Sequence, residues 1–440
     1  MMISGWGRFP LRDCRVSRPR SEADVRDLIA EGALIARGNG RAYGDSALNP
    51  GNTLDMRGFN RMLSFDAESG QLVAEAGVML ADVISVFLPR GWFPAVTPGT
   101  KFVTLGGMVA ADVHGKNHHH DGSFRDFVDW IDLMGADGQV RRCYPGDNDR
   151  LFDWTLGGMG LTGVILRVAL RLRPVETAWI RQTTIPTRNL AAAMETFESA
   201  ADATYSVAWI DCLSSGESLG RSIVTLGEHA TVDELPAARR GAPFETPARP
   251  RLTAPIDAPS FALNRLTVGL FNAAYYAKGR MDAGVGLVGW DSYFYPLDSI
   301  LSWNRIYGRR GFAQFQCALP LAESKRGLEA ILKATSKAGQ GSFLAVLKRF
   351  GSQSGAFSFP MEGYTLALDF PANPRSLRLM SELDRITADC GGRQYLAKDS
   401  RMSPEALRQS DPRVADFVAM RGGEARALAF ASVQSQRLGL

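Results

Sequence analysis

The sequence predicts an α+β protein of two domains, and three observations carry that expectation. The chain has 440 residues, enough for two or three domains at roughly 100–200 residues each. Its first 165 residues hold three glycine-rich stretches, each abutting an apolar, strand-like run. After Pro174 the texture changes to strand-like runs separated by amphipathic helices, the rhythm of an antiparallel sheet with helices packed on it. With 45% hydrophobic and 22% charged residues, the composition excludes a disordered, collagen-like or disulfide-scaffold chain.

Along the chain, Ser21-Glu22-Ala23-Asp24 reads as a capping box, and Val25, Leu28 and Ile29 then recur at helical spacing until Gly32. A short apolar strand, Ala33 to Ala36, runs into the first glycine loop, Arg37-Gly38-Asn39-Gly40-Arg41-Ala42-Tyr43-Gly44. Leu72 to Val78 reads as a strand, and Leu80, Val83, Ile84, Phe87 and Leu88 as a helix that Gly91 ends. The second glycine stretch runs from Pro98-Gly99-Thr100 through Thr104-Leu105-Gly106-Gly107 to His114-Gly115-Lys116-Asn117 and three histidines, His118, His119 and His120. The third, Gly157 to Gly163, leads into an alternating strand from Val164 to Leu172. Residues 233–260, dense in Pro, Ala and Arg, read as a long mobile loop carrying Arg239, Arg240, Arg249 and Arg251. Strands are expected at Gly311–Leu319, Ser342–Phe350 and Tyr364–Phe370, and helices at Leu328–Lys337 and Ser376–Cys390.

The formal charge of +4, from 50 basic and 46 acidic residues, gives no global electrostatic case for nucleic acid as a partner. Five scattered cysteines without a C-x-x-C pair predict neither a disulfide framework nor a zinc site. Three consecutive histidines cannot converge readily on one tetrahedral ion, so no metal is assigned and they are read as loop residues. The N-terminus lacks an apolar stretch after a basic start, and no run of about 18 apolar residues exists, so neither a secretory signal nor a membrane span is expected. A cytoplasmic or peripheral inner-membrane protein fits. Only 8 of the 50 basic residues are lysines, which makes any lysine in a distinctive segment worth attention.

A glycine loop after a strand can turn its amides inward and cradle a phosphate. The first loop spells G-x-G-x-x-x-G and is followed by turn-like residues rather than a helix, so it fits a phosphate nest without a helix dipole better than a Rossmann unit. Three such loops suit a long cofactor. Gln314 and Gln316 alternate with Phe315, so both amides share one side of a strand, where they can face a pocket or solvent.

The strings Ile35 to Asp45, Pro98-Gly99-Thr100, Thr104 to Gly107, Asp112-Val113-His114-Gly115-Lys116-Asn117, Gly160-Leu161-Thr162-Gly163, Trp303-Asn304-Arg305, Leu368-Asp369-Phe370-Pro371 and Tyr395-Leu396-Ala397-Lys398-Asp399-Ser400-Arg401 resemble the FAD-linked oxidases of the vanillyl-alcohol-oxidase type. Within them, the likeness is strongest to the branch that oxidises a polyprenyl-phosphoryl ribose, and it covers nearly the whole chain. The resemblance implies a two-domain p-cresol-methylhydroxylase-type (PCMH-type) FAD-binding fold. Residues 1–176 and 393–440 would build the FAD domain, and 177–392 an antiparallel-sheet substrate cap. It implies oxidation of a sugar secondary hydroxyl, most specifically C2 of a polyprenyl-phosphoryl-β-D-ribose, to a ketone by hydride transfer to flavin N5. A separate short-chain ketoreductase would complete an epimerisation, with quinone or oxygen as electron acceptor and the membrane as a peripheral contact. A soluble aldonolactone or alditol oxidase, or a flavin-fold binding protein without turnover, are the alternatives.

By the same resemblance, FAD would be held by the first loop (Arg37 to Gly44), by Pro98, Gly99, Thr100, Thr104, Gly106 and Gly107, by His114, Gly115 and Asn117, and by Gly160, Thr162 and Gly163. Arg41 stands where many members carry a histidine bonded to the flavin, which predicts non-covalent FAD. Lys398, His114 and Lys116 are the catalytic candidates, with Lys398 either taking a proton or stabilising developing negative charge. His114 and Lys116, one residue apart on an extended backbone, would point the same way. Lys116, Phe294, Gln314, Gln316, Lys348, Thr365, Tyr395 and Lys398 would meet the substrate. This chain departs from the pattern at Ala367, where mycobacterial members carry an inhibitor-reactive cysteine, at Thr365 in place of an asparagine, and at Phe294 in place of a tyrosine. The first departure implies insensitivity to thiol-directed nitroaromatics unless Cys317 or Cys390 comes within reach.

Overall fold

The computed structural model describes all residues except 147–149, 250–251, 260–262, 343 and 424–428, and the side chain of residue 423. It is a mixed helix and sheet structure. Two antiparallel sheets dominate it, with a small parallel sheet beside the first. The parallel sheet joins Val16–Ser17, Thr53–Asp55 and Ile35–Arg37. The first large sheet runs in the order Val140–Cys143, Val128–Met134, Val164–Pro174, Gln71–Glu75, Met62–Asp66, and Trp92–Pro94 pairs with the far end of Val164–Pro174. The capping box forms as the sequence reads, Ser21 accepting from the Asp24 amide at 3.1 Å, and Gly91 ends the helical stretch after Leu80–Phe87 in the left-handed region at φ 82°.

The second large sheet has eight strands, in the order Gly284–Gly289, Trp179–Thr187, Ser222–His229, Tyr205–Ile210, Ala345–Phe350, Gly363–Pro371, Phe312–Pro320 and Arg393–Gln394, all antiparallel. Its faces separate by the two-residue period. Ala313, Phe315, Cys317, Leu366, Leu368 and Phe370 pack beneath the helices Leu321–Ala338 and Pro374–Asp389. Gln314, Gln316, Ala367, Asp369, Val346 and Lys348 stand on the other face and line a cleft. Both helices begin earlier than hydrophobic spacing predicts, because Leu321 follows a strand ending at Pro320 without a loop, and because Asn373 caps a helix whose first residue is Pro374. The three histidines are a correction to the sequence reading: His118–Asp121 is a single helical turn, and each ring finds its own partner, His118 on Gln353 and His119 on the Ala203 carbonyl, both at 2.7 Å, and His120 on Asp121 at 2.9 Å.

The arginines of 233–260 are engaged. Arg239 lies 4.1 Å from the Trp179 ring centre, Arg240 donates to the carbonyls of Leu235 and Asp233, and Arg249 donates to those of Asp291, Tyr295 and Pro296. Arg251 lies outside the described residues.

The two ends of the chain meet at one charged knot. Arg437, in the helix Val433–Leu438, donates to both Asp45 and Asp399 at 2.8 Å. Both carboxylates are buried, and Asp399 also accepts the amides of Arg401 and Met402 at 3.0 and 2.8 Å. The Tyr43 amide donates to the Ala397 carbonyl at 2.9 Å, and Gly44 presses so closely on the Asp399 carbonyl that a Cβ there would clash. Replacing Arg437 by Met leaves two buried carboxylates without their cation, a loss of about 3–5 kcal/mol. Chemical denaturation should show that loss, whereas Arg408→Met, at an exposed position of the neighbouring helix Pro404–Ser410, should not.

Candidate active site

A cleft of about 320 Å³ runs between the three glycine-rich stretches and the polar face of the eight-stranded sheet. Of the predicted residues, Arg37, Gly38, Asn39, Gly40, Arg41, Ala42, Tyr43 and Gly44 line it, as do Pro98, Gly99, Thr100, Thr104, Gly106, Gly107, His114, Gly160 and Gly163. So do Gln314, Gln316, Lys348, Tyr395 and Lys398. Residues as far apart in sequence as Arg37 and Lys398 thus share one cleft, and the Arg437 knot holds the segment Tyr395–Ser400 against the first loop.

The loop end of the cleft suits a pyrophosphate. Among the described residues, the amides of Asn39, Gly40, Arg41 and Ala42 have no protein acceptor, and Gly40 takes the left-handed φ of 64° that lets successive amides face one way. The Arg41 guanidinium sits 4.0 Å from the Trp6 ring centre and 5.3 Å from that of Phe102, with no hydrogen-bond or ion-pair partner among the described residues. Burial lowers its pKa, a cost that a bound anion would offset. Arg37 and Asn39 do a different job. Arg37 donates to the Ser4 carbonyl at 2.8 Å and to that of Ala47 at 3.4 Å, and Asn39 to the Phe102 carbonyl at 2.9 Å, so both fix the loop. Apolar walls from Ala36, Met56, Ala76, Val103, Ala110 and Ile165 complete a slot suited to flat rings. Nest, cation and apolar slot together fit FAD.

A second group of lining residues concentrates charge. Lys398 Nζ lies 3.6 Å from the Tyr43 ring centre and has no hydrogen-bond or ion-pair partner among the described residues. Burial depresses its pKa, with Lys348 acting in the same sense and Asp369 against it. Asp369 is buried; Gln314 donates to its Oδ1, while its Oδ2 has no partner among the described residues. Burial raises its pKa. Lys348, held by the Gly115 carbonyl at 3.3 Å, is brought down by burial to about 8. His114 sits among Phe350, Phe359 and Tyr395, ring centres 4.8, 5.6 and 5.1 Å away. Burial, then the charges of Lys348, His118 and Lys398, push its pKa well down, so the imidazole is neutral at pH 7. Gln316 donates to its Nε2 at 3.1 Å and to Thr365 Oγ1 at 3.3 Å. Tyr395 spends its hydroxyl on the Ala111 carbonyl at 2.9 Å, and its ring forms part of the wall.

Six predicted residues do not line the cleft. Lys116 does not follow His114, because the chain bends at Lys116, whose carbonyl accepts the Ser206 amide at 2.8 Å. Its ammonium donates to the Tyr293 carbonyl beside that residue's ring and is brought down by burial to about 7. Gly115 serves Lys348 through its carbonyl, and Asn117 donates to the Ala95 carbonyl at 2.8 Å and Asp121 at 2.7 Å. Thr162 pairs with Thr155 at 2.9 Å, and Phe294 packs among Phe93, Tyr205 and His229. Thr365 sits behind Gln316 and donates to the Cys317 carbonyl at 2.7 Å. Ala367 lines the cleft, whereas Cys317 and Cys390 lie on the far face of the sheet, and burial lifts the Cys317 thiol to about 12. Trp6 and Asp298 line the cleft without having been singled out, and Asp369 and Trp303, named only within the strings of the resemblance and given no role, line it too. Asp369 was within reach of the two-residue period, two places from Ala367. Trp6 reaches the cleft from a distant turn that no local pattern marks, and Trp303 from the short helical turn Trp303–Tyr307.

Comparison with known proteins agrees with this geometry. Residues 15–144 match the FAD binding domain family. The chain is 36% identical to decaprenylphosphoryl-beta-D-ribose oxidase of Mycolicibacterium smegmatis over all of its own length and 97% of that protein. It is 35% identical to an uncharacterised protein of Streptomyces coelicolor over 82% of this chain and all of that one. A shorter match, 30% identical, joins 36% of the chain to 37% of the L-gulonolactone oxidase of Mus musculus. The chain belongs to the decaprenylphosphoryl-ribose oxidase family of PCMH-type flavoproteins; it is an FAD-dependent oxidoreductase acting on CH–OH groups.

Lys348 loses its charge as pH rises through about 8. If that charge holds an anionic group of the substrate, KM should climb above this pH by up to about tenfold per unit while kcat holds, since the bound anion raises the lysine's pKa in the complex. Lys348→Met should show a raised KM with no such climb, and steady-state kinetics from pH 6 to about pH 10 read both.

Proposed function

We propose that this family member oxidises C2 of a polyprenyl-phosphoryl-β-D-ribose to the ketone. The observation that carries the reading is the grouping of Lys398, Lys348 and Asp369, all buried, on the wall of the same cleft as the phosphate nest. FAD, when bound, supplies the hydride acceptor. The chain's own groups supply the rest. Lys398, its pKa depressed, takes the hydroxyl proton at Nζ as the C2 hydrogen departs with its electron pair and the carbonyl forms. The resulting ammonium is stabilised by the Asp369 carboxylate and by the Tyr43 ring face. Lys348 and the donors of Gln316 and Gln314 hold the phosphoryl sugar, and neutral His114 orients Gln316. A separate ketoreductase would return the ketone as the epimeric alcohol, and quinone or oxygen would take the electrons. We further propose the division into 1–176 with 393–440 around the flavin and 177–392 as the cap. With Arg41 at the loop position a bonded histidine would need, FAD is held without a covalent link, and the nest and the Arg41 guanidinium suffice.

Anaerobic mixing of the yellow protein with a polyprenyl-phosphoryl ribose, free alditols and aldonolactones tests the substrate. Bleaching by the phosphoryl ribose supports the reading, and bleaching by the free polyols or lactones alone contradicts it. Lys398→Ala should keep its flavin and slow bleaching by at least about 100-fold; an unchanged rate would remove Lys398 from the chemistry. Acid precipitation should leave a white pellet and a yellow supernatant, and a yellow pellet would show a covalent bond.

A further inference from the structure

Among the described residues, nine of the sixteen exposed large hydrophobic side chains fall between Leu252 and Ile300, a ninth of the chain. They centre on the helix Arg265–Met281. This helix buries a narrow stripe, Val268, Asn272 and Gly279, against the strands Trp179–Thr187 and Ser222–His229. At 100° per residue, Leu266, Leu270 and Met281 then share the opposite side, and they are 70%, 64% and 83% exposed. A globular helix ordinarily turns such residues inward, so this face is reversed. Its charges are one-sided as well. The helix holds Arg265, Lys278 and Arg280 and no acidic residue, and among the described residues only Lys278 has an ion-pair partner, Asp282 just beyond the helix end.

The helix also stands beside the cleft. Leu263, two residues before it, packs on the cluster of Trp303, Tyr307 and Phe312, against which Trp6 and Tyr43 of the cleft wall also pack. A second hollow at this end is lined by Leu263 together with the exposed Arg309 and Arg310. Apolar surface and unopposed cations therefore lie together next to the substrate cleft. The arginines of 233–260 do not contribute, since those described are bound within the chain.

We propose that the outer face of Arg265–Met281 docks on a bilayer rich in anionic phospholipid, with Leu266, Leu270 and Met281 in the acyl boundary and Arg280, on the flank of that face, at the headgroups. The proposal rests on the lipid-linked substrate reading for its purpose: docking sets the cleft mouth where a polyprenyl anchor can stay in the membrane while its sugar enters.

The FAD-loaded full chain should sediment with equimolar phosphatidylglycerol and phosphatidylcholine vesicles at least about tenfold more strongly than with phosphatidylcholine alone, and salt should weaken it. A combined Leu266→Gln, Leu270→Gln, Met281→Gln variant should lose about tenfold or more of that binding. Arg280→Glu should weaken the preference for anionic lipid by several-fold. Flavin content, melting temperature and oxidation of a soluble short-chain phosphoryl ribose should be unchanged in both variants. Equal vesicle binding by wild type and the triple variant would overturn the proposal. So would a wild-type dimer that the triple variant converts to monomer without vesicle binding, which would make the face a contact between copies. Oxidation of the soluble substrate without any vesicle binding removes the docking alone; vesicle binding without oxidation of any phosphoryl ribose supports the docking and removes the substrate reading.

Discussion

The cleft exists because Arg437 holds Asp45 and Asp399 together. That guanidinium draws the last helix, the glycine loop near the start of the chain and the lysine-bearing segment Tyr395–Ser400 to one point. Remove it and two buried carboxylates repel each other across the same gap. The rest of the site follows from that closure: Gly44 can lie on the Asp399 carbonyl only as glycine, the Tyr43 amide meets the Ala397 carbonyl, and Lys398 comes to rest over the Tyr43 ring. A charged knot behind a site fixes positions without entering the chemistry, and here it lets a lysine near the C-terminus and a phosphate nest near the N-terminus serve one ligand.

The second constraint is dielectric. Lys398 and Asp369 are both taken far from water, and burial drives each toward its neutral form. Such a pair is poised, because burial lowers the lysine's pKa while negative charge on Asp369 raises it again. The sheet supplies the positions. Its two-residue period sends Gln314, Gln316, Ala367 and Asp369 into the cleft and Phe315, Leu366, Leu368 and Phe370 into the core, so a strand that stabilises the protein on one side builds the site on the other.

Much of this was legible in the sequence, and the failures are instructive. The glycine loops, the paired glutamines and Lys398 were visible because each depends on local pattern: dihedral freedom, alternation, or a rare residue in a specific string. Lys116 was misplaced because alternation was extended through a segment that bends. Asp369 was named in a string of the resemblance but given no role, although it obeys the period of Ala367. Trp6 and the Arg437 knot carry no local signal at all; they depend on contacts across hundreds of residues. The reversed face of Arg265–Met281 was hidden for a similar reason, because its apolar spacing resembles that of a core helix until the structure shows which side is covered.

The central claim is that the C2 hydrogen of a lipid-linked ribose leaves as hydride while Lys398 receives the hydroxyl proton. Rapid-mixing measurement of flavin reduction with polyprenyl-phosphoryl ribose deuterated separately at C1, C2 and C3 tests it most directly. Hydride departure from C2 predicts a primary isotope effect of several-fold for the C2-deuterated substrate and none for the others. An effect at C1 or C3 in place of C2 would contradict it.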